Sequence, residues 1–395
     1  MPVGVFPVGN IFIKYMIYFD NSATTKPCDE VIRVINEDMT GERWGNPGSL
    51  HKLGLIASKA YDEALNSCAE TLNCDPSELV FTSCGTESAN TAILGFMKAN
   101  HRAGKTIIST KTEHKCTLES LESLLKSGYE VKYVPVLSDG KPDLNELKSM
   151  LDDSVALMCF THVNNETGAV LPLNEVVKLR NECAPDAAIY LDCVQSLGKL
   201  HISLRNMGVD MASFSGHKVH GIKGTGLLYI RKGIRVAPYI LGGGQQDGRR
   251  SGTQSLPLAD SMAVALSEAY KHREKAYEEV SLINAYLREE LIKRGAVINS
   301  PSDGLPFVLN VAFKNFQSET MLHCLEIYDI CISTVSACSS KSKKPSYVLE
   351  NMGIDRKVST NSVRLSFSRY NTMDEAKRFV EAIDEIYKLY EVNVR

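Results

Sequence analysis

No CxxC pair occurs among the eleven cysteines, which are scattered from Cys28 to Cys338. That spacing excludes a zinc ribbon, and the odd count argues against a disulfide framework and for a reducing compartment. An excess of one charge is also missing. With 44 basic and 47 acidic side chains the formal net charge is −3, so nothing calls for nucleic acid or an anionic membrane surface as partner. The opening "MPVGVFPVGNIFIKYMIYFD" is apolar, but glycine, proline and Lys14 interrupt it and no small-residue cleavage signal follows. It reads as neither a membrane span nor a signal peptide, so a cytoplasmic location is expected. Residues 1–15 read as an N-terminal extension, either native or lying ahead of a true start at Met16. Internal repeats and low-complexity tracts are absent.

What remains is the profile of a globular α/β protein. With 395 residues there is room for one large domain and a smaller companion. Seven short apolar runs recur between residues 80 and 230: "ELVFTS", "KTIIST", "VKYVPV", "VALMCFTH", "AAIYLD", "MASFS" and "GLLYI". Segments of helical periodicity separate most of them, as in "TESANTAILGFMKANH" and "LNEVVKLRNECA". Strands alternating with helices predict a mainly parallel sheet, with ligands gathered at the carboxyl ends of its strands. From about Leu258 to Arg294 a charge-laced helix leads into a smaller α/β unit that runs from "PFVLNVAF" to the closing helix "MDEAKRFVEAIDEIYKLYE". The expected division is a large domain over 26–262 and a small one made of 16–25 and 263–395.

The residue after each strand is therefore the one to inspect. "AAIYLD" runs straight into Asp192, a carboxylate that is costly at the end of a buried strand unless a cation meets it. "MASFS" is followed by Gly216, His217 and Lys218, and a lysine in such a place tends toward its neutral form. One chemistry uses both groups. Pyridoxal phosphate forms a Schiff base with a lysine and needs a carboxylate at its pyridinium nitrogen. Its phosphate needs backbone N–H groups and hydroxyls at a helix start, which "VFTSCGTESAN" supplies with Gly85 and Thr86. His114, past another strand in "TEHK", could stack on the ring. Taken singly, Lys218 reads as a loop lysine, His114 as a structural histidine and Asp192 as a helix cap. "GIKGTG" is no phosphate loop of the GxxxxGK[ST] type. Only the joint placement at strand ends lifts the reading above these.

The same residues resemble the NifS/IscS cysteine desulfurases of the class V aminotransferase family. The motifs run in order from "YFDNSATTKP" through "GNPGSLH", "FTSCGTESAN", "TEHK", "THVNNETGAV", "LDCVQSLGK", "SFSGHK", "GGGQQDGRRSGTQ" and "SACSSKSKKPSYVL" to "SVRLSFSRYNT". The resemblance implies a fold type I, pyridoxal-phosphate-dependent transferase. Lys218 is similar to the lysine that carries the cofactor and takes the α proton, Asp192 to the partner of the ring nitrogen, and Gln195 to a donor to the ring hydroxyl. Gly85, Thr86, Ser215 and His217 correspond to the phosphate site, and His114 to the catalytic residue that stacks on the ring and moves protons. Thr253 is similar to a threonine that reaches the phosphate of a neighbouring subunit, which implies a homodimer. Asn165 lies beside the cofactor in the family, while Arg364, with help from Asn46, would hold the substrate carboxylate.

The reaction subclass rests on Cys338. It lies among serines and small residues, with Lys341, Lys343 and Lys344 close behind, and such surroundings favour a nucleophilic thiolate. The resemblance implies that L-cysteine gives up its sulfur to Cys338 as a persulfide and leaves as alanine. An acceptor protein for iron–sulfur assembly or tRNA thiolation would take the sulfur, and the three lysines would suit an acidic one. Two other readings stay open: a selenocysteine lyase or related class V enzyme, and a sulfur-relay platform without turnover. Cys84, Cys193 and Val194 depart from the family pattern and predict altered packing and added sensitivity to oxidation, with no ligand lost. No metal site is expected.

Overall fold

The computed structural model describes residues 16–101, 104–334 and 345–393. The chain enters through a two-residue strand, β1 (Ile17–Tyr18), and two helices, α1 (Asp29–Thr40) and α2 (Lys52–Leu72). The seven runs that read as strands then all appear, and all lie in one sheet: β2 (Leu79–Thr82), β3 (Thr106–Thr110), β4 (Glu130–Val134), β5 (Val155–Thr161), β6 (Ala188–Asp192), β7 (Met211–Ser215) and β8 (Gly226–Ile230). Their order is β2-β8-β7-β6-β5-β3-β4. Only β8 runs against its neighbours, so six strands share a direction and end on the same edge. β6 and β7 are buried at every position, as a strand covered on both faces must be. β4, at one edge, shows Glu130 to solvent, a charge that blunts pairing with other chains.

Helices cover both faces. On one lie α3 (Gly85–Ala99) and α4 (Lys115–Lys126), whose Ile93, Phe96, Met97 and Leu121 close a core over Tyr190 and Leu228. α5 (Leu144–Met150), α6 (Leu173–Cys183) and the first half of α7 (Leu256–Lys293) join α2 on the other. At 38 residues α7 is the connector foreseen from its charge pattern. Its residues Leu256 to Ala269 belong to the core of the large sheet and Ala276 to Leu291 to a second core.

That second core surrounds a four-stranded antiparallel sheet built from β9 (Val297–Ile298), β10 (Val308–Ala312), β12 (Ser333–Thr334) and β13 (Ser362–Ser366), in the order β12-β13-β10-β9. β11 (Ile330–Cys331) pairs in parallel with β1, and Asp20 bridges to Ser366. Ile17 and Phe19 are therefore buried with residues some 300 positions later, beside α8 (Ser318–Glu326) and α11 (Met373–Asn393). The short helices α9 (Tyr347–Asn351) and α10 (Arg356–Thr360) complete the fold. Among the described residues no helix is long and apolar enough to cross a membrane.

Candidate active site

Five of the shared strand ends converge on one cavity. The chain leaves β2 into Cys84 and Gly85, β3 leads to His114, β5 to Asn165, β6 ends in Asp192, and β7 ends in Ser215 just before Lys218. All of these line a cavity of about 400 Å³ together with Thr86, Gln195 and His217. The smaller sheet closes the other side with Ser333, Thr334 and Arg364. The floor is tight. A Cβ added at Gly226 would come within 2.6 Å of the Cys84 carbonyl carbon and of Thr82 Oγ1, so β8 can pass beneath the turn only as glycine.

One corner of the cavity is the N-terminus of α3, which presents unpaired backbone N–H groups and so suits an anion. A Cβ at Gly85 would sit 2.8 Å from Val194 Cγ2, so glycine keeps this corner open. Ser215 Oγ is buried beside it without a hydrogen-bond partner. Glu87, in the first turn of α3, accepts from the Ser83 N–H at 2.8 Å and meets Arg250 Nε at 3.0 Å. His217 is pushed down to about 4 by burial, with Lys218 and Lys223 adding repulsion, so it is neutral at pH 7 and shares a hydrogen bond with Thr24 Oγ1 at 3.1 Å.

Lys218 Nζ donates to the carbonyls of Ser22 and Ala23, each at 2.6 Å. Burial pushes the Asp192 carboxyl up, opposed by His114, by the Val194 N–H on Oδ1 at 2.9 Å and by Lys218. Burial also pushes His114 down, although Asp192 favours its charged form. A cationic ring nitrogen against Asp192 would offset the cost of keeping that carboxylate charged. His114 is at the same time the N-cap of α4, its Nδ1 accepting the Cys116 N–H at 3.2 Å. The Cys116 Sγ lies 3.0 Å from the same nitrogen, and burial keeps that thiol protonated. His114, Cys116 and Asp192 bring ligand-type atoms within 4.8 Å of one another, a donor set that could hold a metal and that went unforeseen because Cys116 had no assigned role.

Arg364 lies in the middle of β13, opposite Asn310 and Ser333. One Nη donates to Asp20 Oδ1 at 2.8 Å and the other to the Asn165 carbonyl at 3.1 Å, while Nε has no partner. A carboxylate that took two N–H groups of Arg364 would use Nε and share the Nη now on Asp20. Asn165 Oδ1 is likewise buried and unpartnered.

Two buried carboxyls were missed by the sequence reading. Glu113 accepts from Thr110 Oγ1 at 2.6 Å and Thr161 Oγ1 at 2.5 Å, and burial pushes it up to about 7. Glu166, on the cavity wall, is also pushed up to about 7 and accepts from Ser346 Oγ, the N-cap of α9. The signal for Glu166 was an acidic residue soon after an apolar strand, inside the motif "NNETG". Asn46 and Thr253 are exposed and do not enter this cavity; the Asn46 side chain accepts from the Gly48 N–H at 2.9 Å. Cys338, Lys341, Lys343 and Lys344 lie outside the described residues. Of the unusual residues beside the site, Cys193 is fully buried near His162, whereas Cys84 lines the cavity.

A lysine, a carboxylate, a histidine and a helix N-terminus at the C-terminal edge of such a sheet define an enzyme site for an aldehyde cofactor carrying a phosphate. The sequence pattern of the Aminotransferase class-V family matches residues 17–379, and the chain belongs to that family. It is 37% identical over 374 residues to a cysteine desulfurase of Nostoc sp., covering 94% of this chain and 92% of that protein. Among solved structures it superposes on a NifS-like protein with a TM-score of 0.90 and 36% identity, covering 95% of this chain and 100% of the other. It also superposes on SspA in complex with cysteine, at a TM-score of 0.79 and 30% identity over 90% of this chain and 100% of that one.

The family cofactor is pyridoxal phosphate, and the cavity fits it. Ser215 Oγ waits unpartnered at the helix start, and Gly85 leaves the space that a Cβ would fill.

Proposed function

We infer that the chain is a cysteine desulfurase, which removes sulfur from L-cysteine and releases alanine. The observation that carries this is the convergence of Lys218, Asp192, His114 and Arg364 on one cavity, in a chain 37% identical to a cysteine desulfurase over nearly its whole length. When bound, pyridoxal phosphate supplies the electron sink that makes the substrate's Cα–H acidic and its Cβ–S bond labile. Lys218 Nζ would hold the cofactor and take the α proton, Asp192 would stand against the ring nitrogen, and His114 would cover the ring. Gly85, Thr86, Ser215 and His217 would hold the phosphate, with Gln195 and Asn165 at the ring edge. Arg364 would receive the substrate carboxylate, its Nε being the unused donor. The Cys338 thiolate would then attack the substrate sulfur, so that the Cβ–S bond breaks and the sulfur stays on Cys338 as a persulfide.

Two finer readings follow. Trp44 and Leu50, close in sequence to Asn46, and Leu241 are 65%, 91% and 76% exposed. Apolar side chains left open in that way suit cover by a second copy, and a homodimer would bring Thr253 and Asn46 to the partner's cavity. The expected sulfur acceptor is an acidic protein serving iron–sulfur assembly or tRNA thiolation, in the cytoplasm. The test is mass spectrometry after exposure of the holoenzyme to L-cysteine. One added sulfur on the Cys338 peptide, with alanine released, supports the reading; full alanine formation from L-cysteine in Cys338→Ala overturns it, and activity on selenocysteine that survives the same loss favours a selenocysteine-lyase type of enzyme.

A further inference from the structure

Lys199 is a buried lysine to which the reaction described above gives no part. It is 8% exposed and sits one turn beyond Gln195. Its Nζ donates to Gln195 Oε1 at 3.1 Å, and Gln195 Nε2 donates to the Ser22 carbonyl at 3.0 Å. The same carbonyl receives Lys218 Nζ at 2.6 Å. Two side chains from the turns after β6 and β7 thus meet on one backbone oxygen of the entering segment, and Lys199 holds the far end of one of them.

The direction of this relay is fixed by chemistry. The Ser22 carbonyl can only accept, whereas the two ends of a glutamine amide are alike in size and opposite in hydrogen bonding. With Lys199 on Oε1, the amide N–H₂ end must face Ser22 and the cavity. Turned over, Gln195 would set Oε1 against the Ser22 carbonyl, oxygen to oxygen. Behind the relay lies a small cavity of about 30 Å³ that Lys199 and Lys218 share with His220 and Arg369, and among the described residues no acidic side chain lines it. Burial, with Lys218 and Arg364 adding repulsion, pushes Lys199 down to about 7, and burial pushes His220 down to about 4.

We propose that Lys199 is a positioning residue for the desulfurase reaction, holding Gln195 with its amide N–H₂ turned toward the cavity beside Lys218. The inference rests on the reading of Gln195 as a cofactor contact. The experiment follows the visible absorption band of the holoenzyme against pH in wild type, Gln195→Ala, Lys199→Met, Lys199→Gln and the double variant Gln195→Ala/Lys199→Met. Loss of one oriented hydrogen bond moves the titration midpoint by about half a pH unit. Gln195→Ala and Lys199→Met are each expected to move it by that amount and the double variant no further, since both break one relay. Lys199→Gln, which keeps a donor but loses the charge, moves it less than Lys199→Met does. If Lys199→Met does not fold, the same cycle is read with Lys199→Ala. A wild-type midpoint in Lys199→Met, additive shifts, or a shift in Lys199→Gln as large as that in Lys199→Met overturns the role of Lys199 while leaving Gln195 in place. An unmoved midpoint in Gln195→Ala overturns the Gln195 reading and this inference together.

Discussion

The cavity has two walls of different origin. One is the carboxyl edge of the seven-stranded sheet, where Asp192, Ser215, Lys218 and His114 stand on strand ends or the turns directly after them. The other belongs to the smaller sheet, where Arg364 projects from the middle of β13 and is steadied by Asp20 from the entering segment. Groups that would hold the cofactor come from the first wall, and the group that would hold the substrate carboxylate comes from the second. The two cores meet along α7, so cofactor attachment and substrate recognition can be broken separately.

Lys218→Ala should have the largest effect. Without the amine proposed to carry the cofactor and take the proton, alanine formation is expected to fall about 10⁴-fold, and the band arising from covalently held cofactor should vanish. Asp192→Asn keeps the shape but removes the charge proposed to face the ring nitrogen, and kcat should fall about 100-fold or more. Both belong to the first wall. Arg364→Lys tests the second: a lysine gives a point charge in place of a planar fork, so KM for L-cysteine should rise about 10-fold or more while the cofactor band stays as in wild type. Loss of that band in Arg364→Lys would show that the walls are not separable.

A smaller effect comes from Glu166, which ties the cavity wall to α9. Its carboxyl is pushed up to about 7 in the folded protein from an ordinary value of 4.5. Between those pH values the folded chain keeps a proton that the unfolded chain has released, so this group's contribution to stability declines as pH rises through the window. Glu166→Gln removes the penalty. Measured by denaturant unfolding, its stability relative to wild type should increase from pH 4.5 to 7, by at most about 3 kcal/mol for a shift of that size.

The same contrast explains what could be read from the sequence. The seven strands of the large sheet are short, apolar and bounded by turns, and the groups that follow them stand at its carboxyl edge because parallel connections put them there. The placement of Asp192 and Lys218 on one cavity was therefore legible from position and chemical type taken jointly. Arg364 was not: an arginine inside a strand gives no local sign of what it faces, and only resemblance to a family pointed to it. The pairing of β1 with β11, which brings Asp20 to Arg364, joins segments more than 300 residues apart and leaves no periodic trace. Lys199 and Glu113 were invisible for a related reason, since a charged residue in a loop looks solvated until tertiary packing buries it. The expectation that Asn46 would assist Arg364 is not met within one chain, because the turn that carries Asn46 lies on the surface.

Two lysines, Lys199 and Lys218, line the same small cavity, and either amine is chemically able to hold an aldehyde. Borohydride reduction of the holoenzyme followed by peptide mapping separates them. The cofactor mass should appear on the peptide containing Lys218 and on no other; its appearance on the Lys199 peptide, or its persistence in Lys218→Ala, would contradict the account of this site.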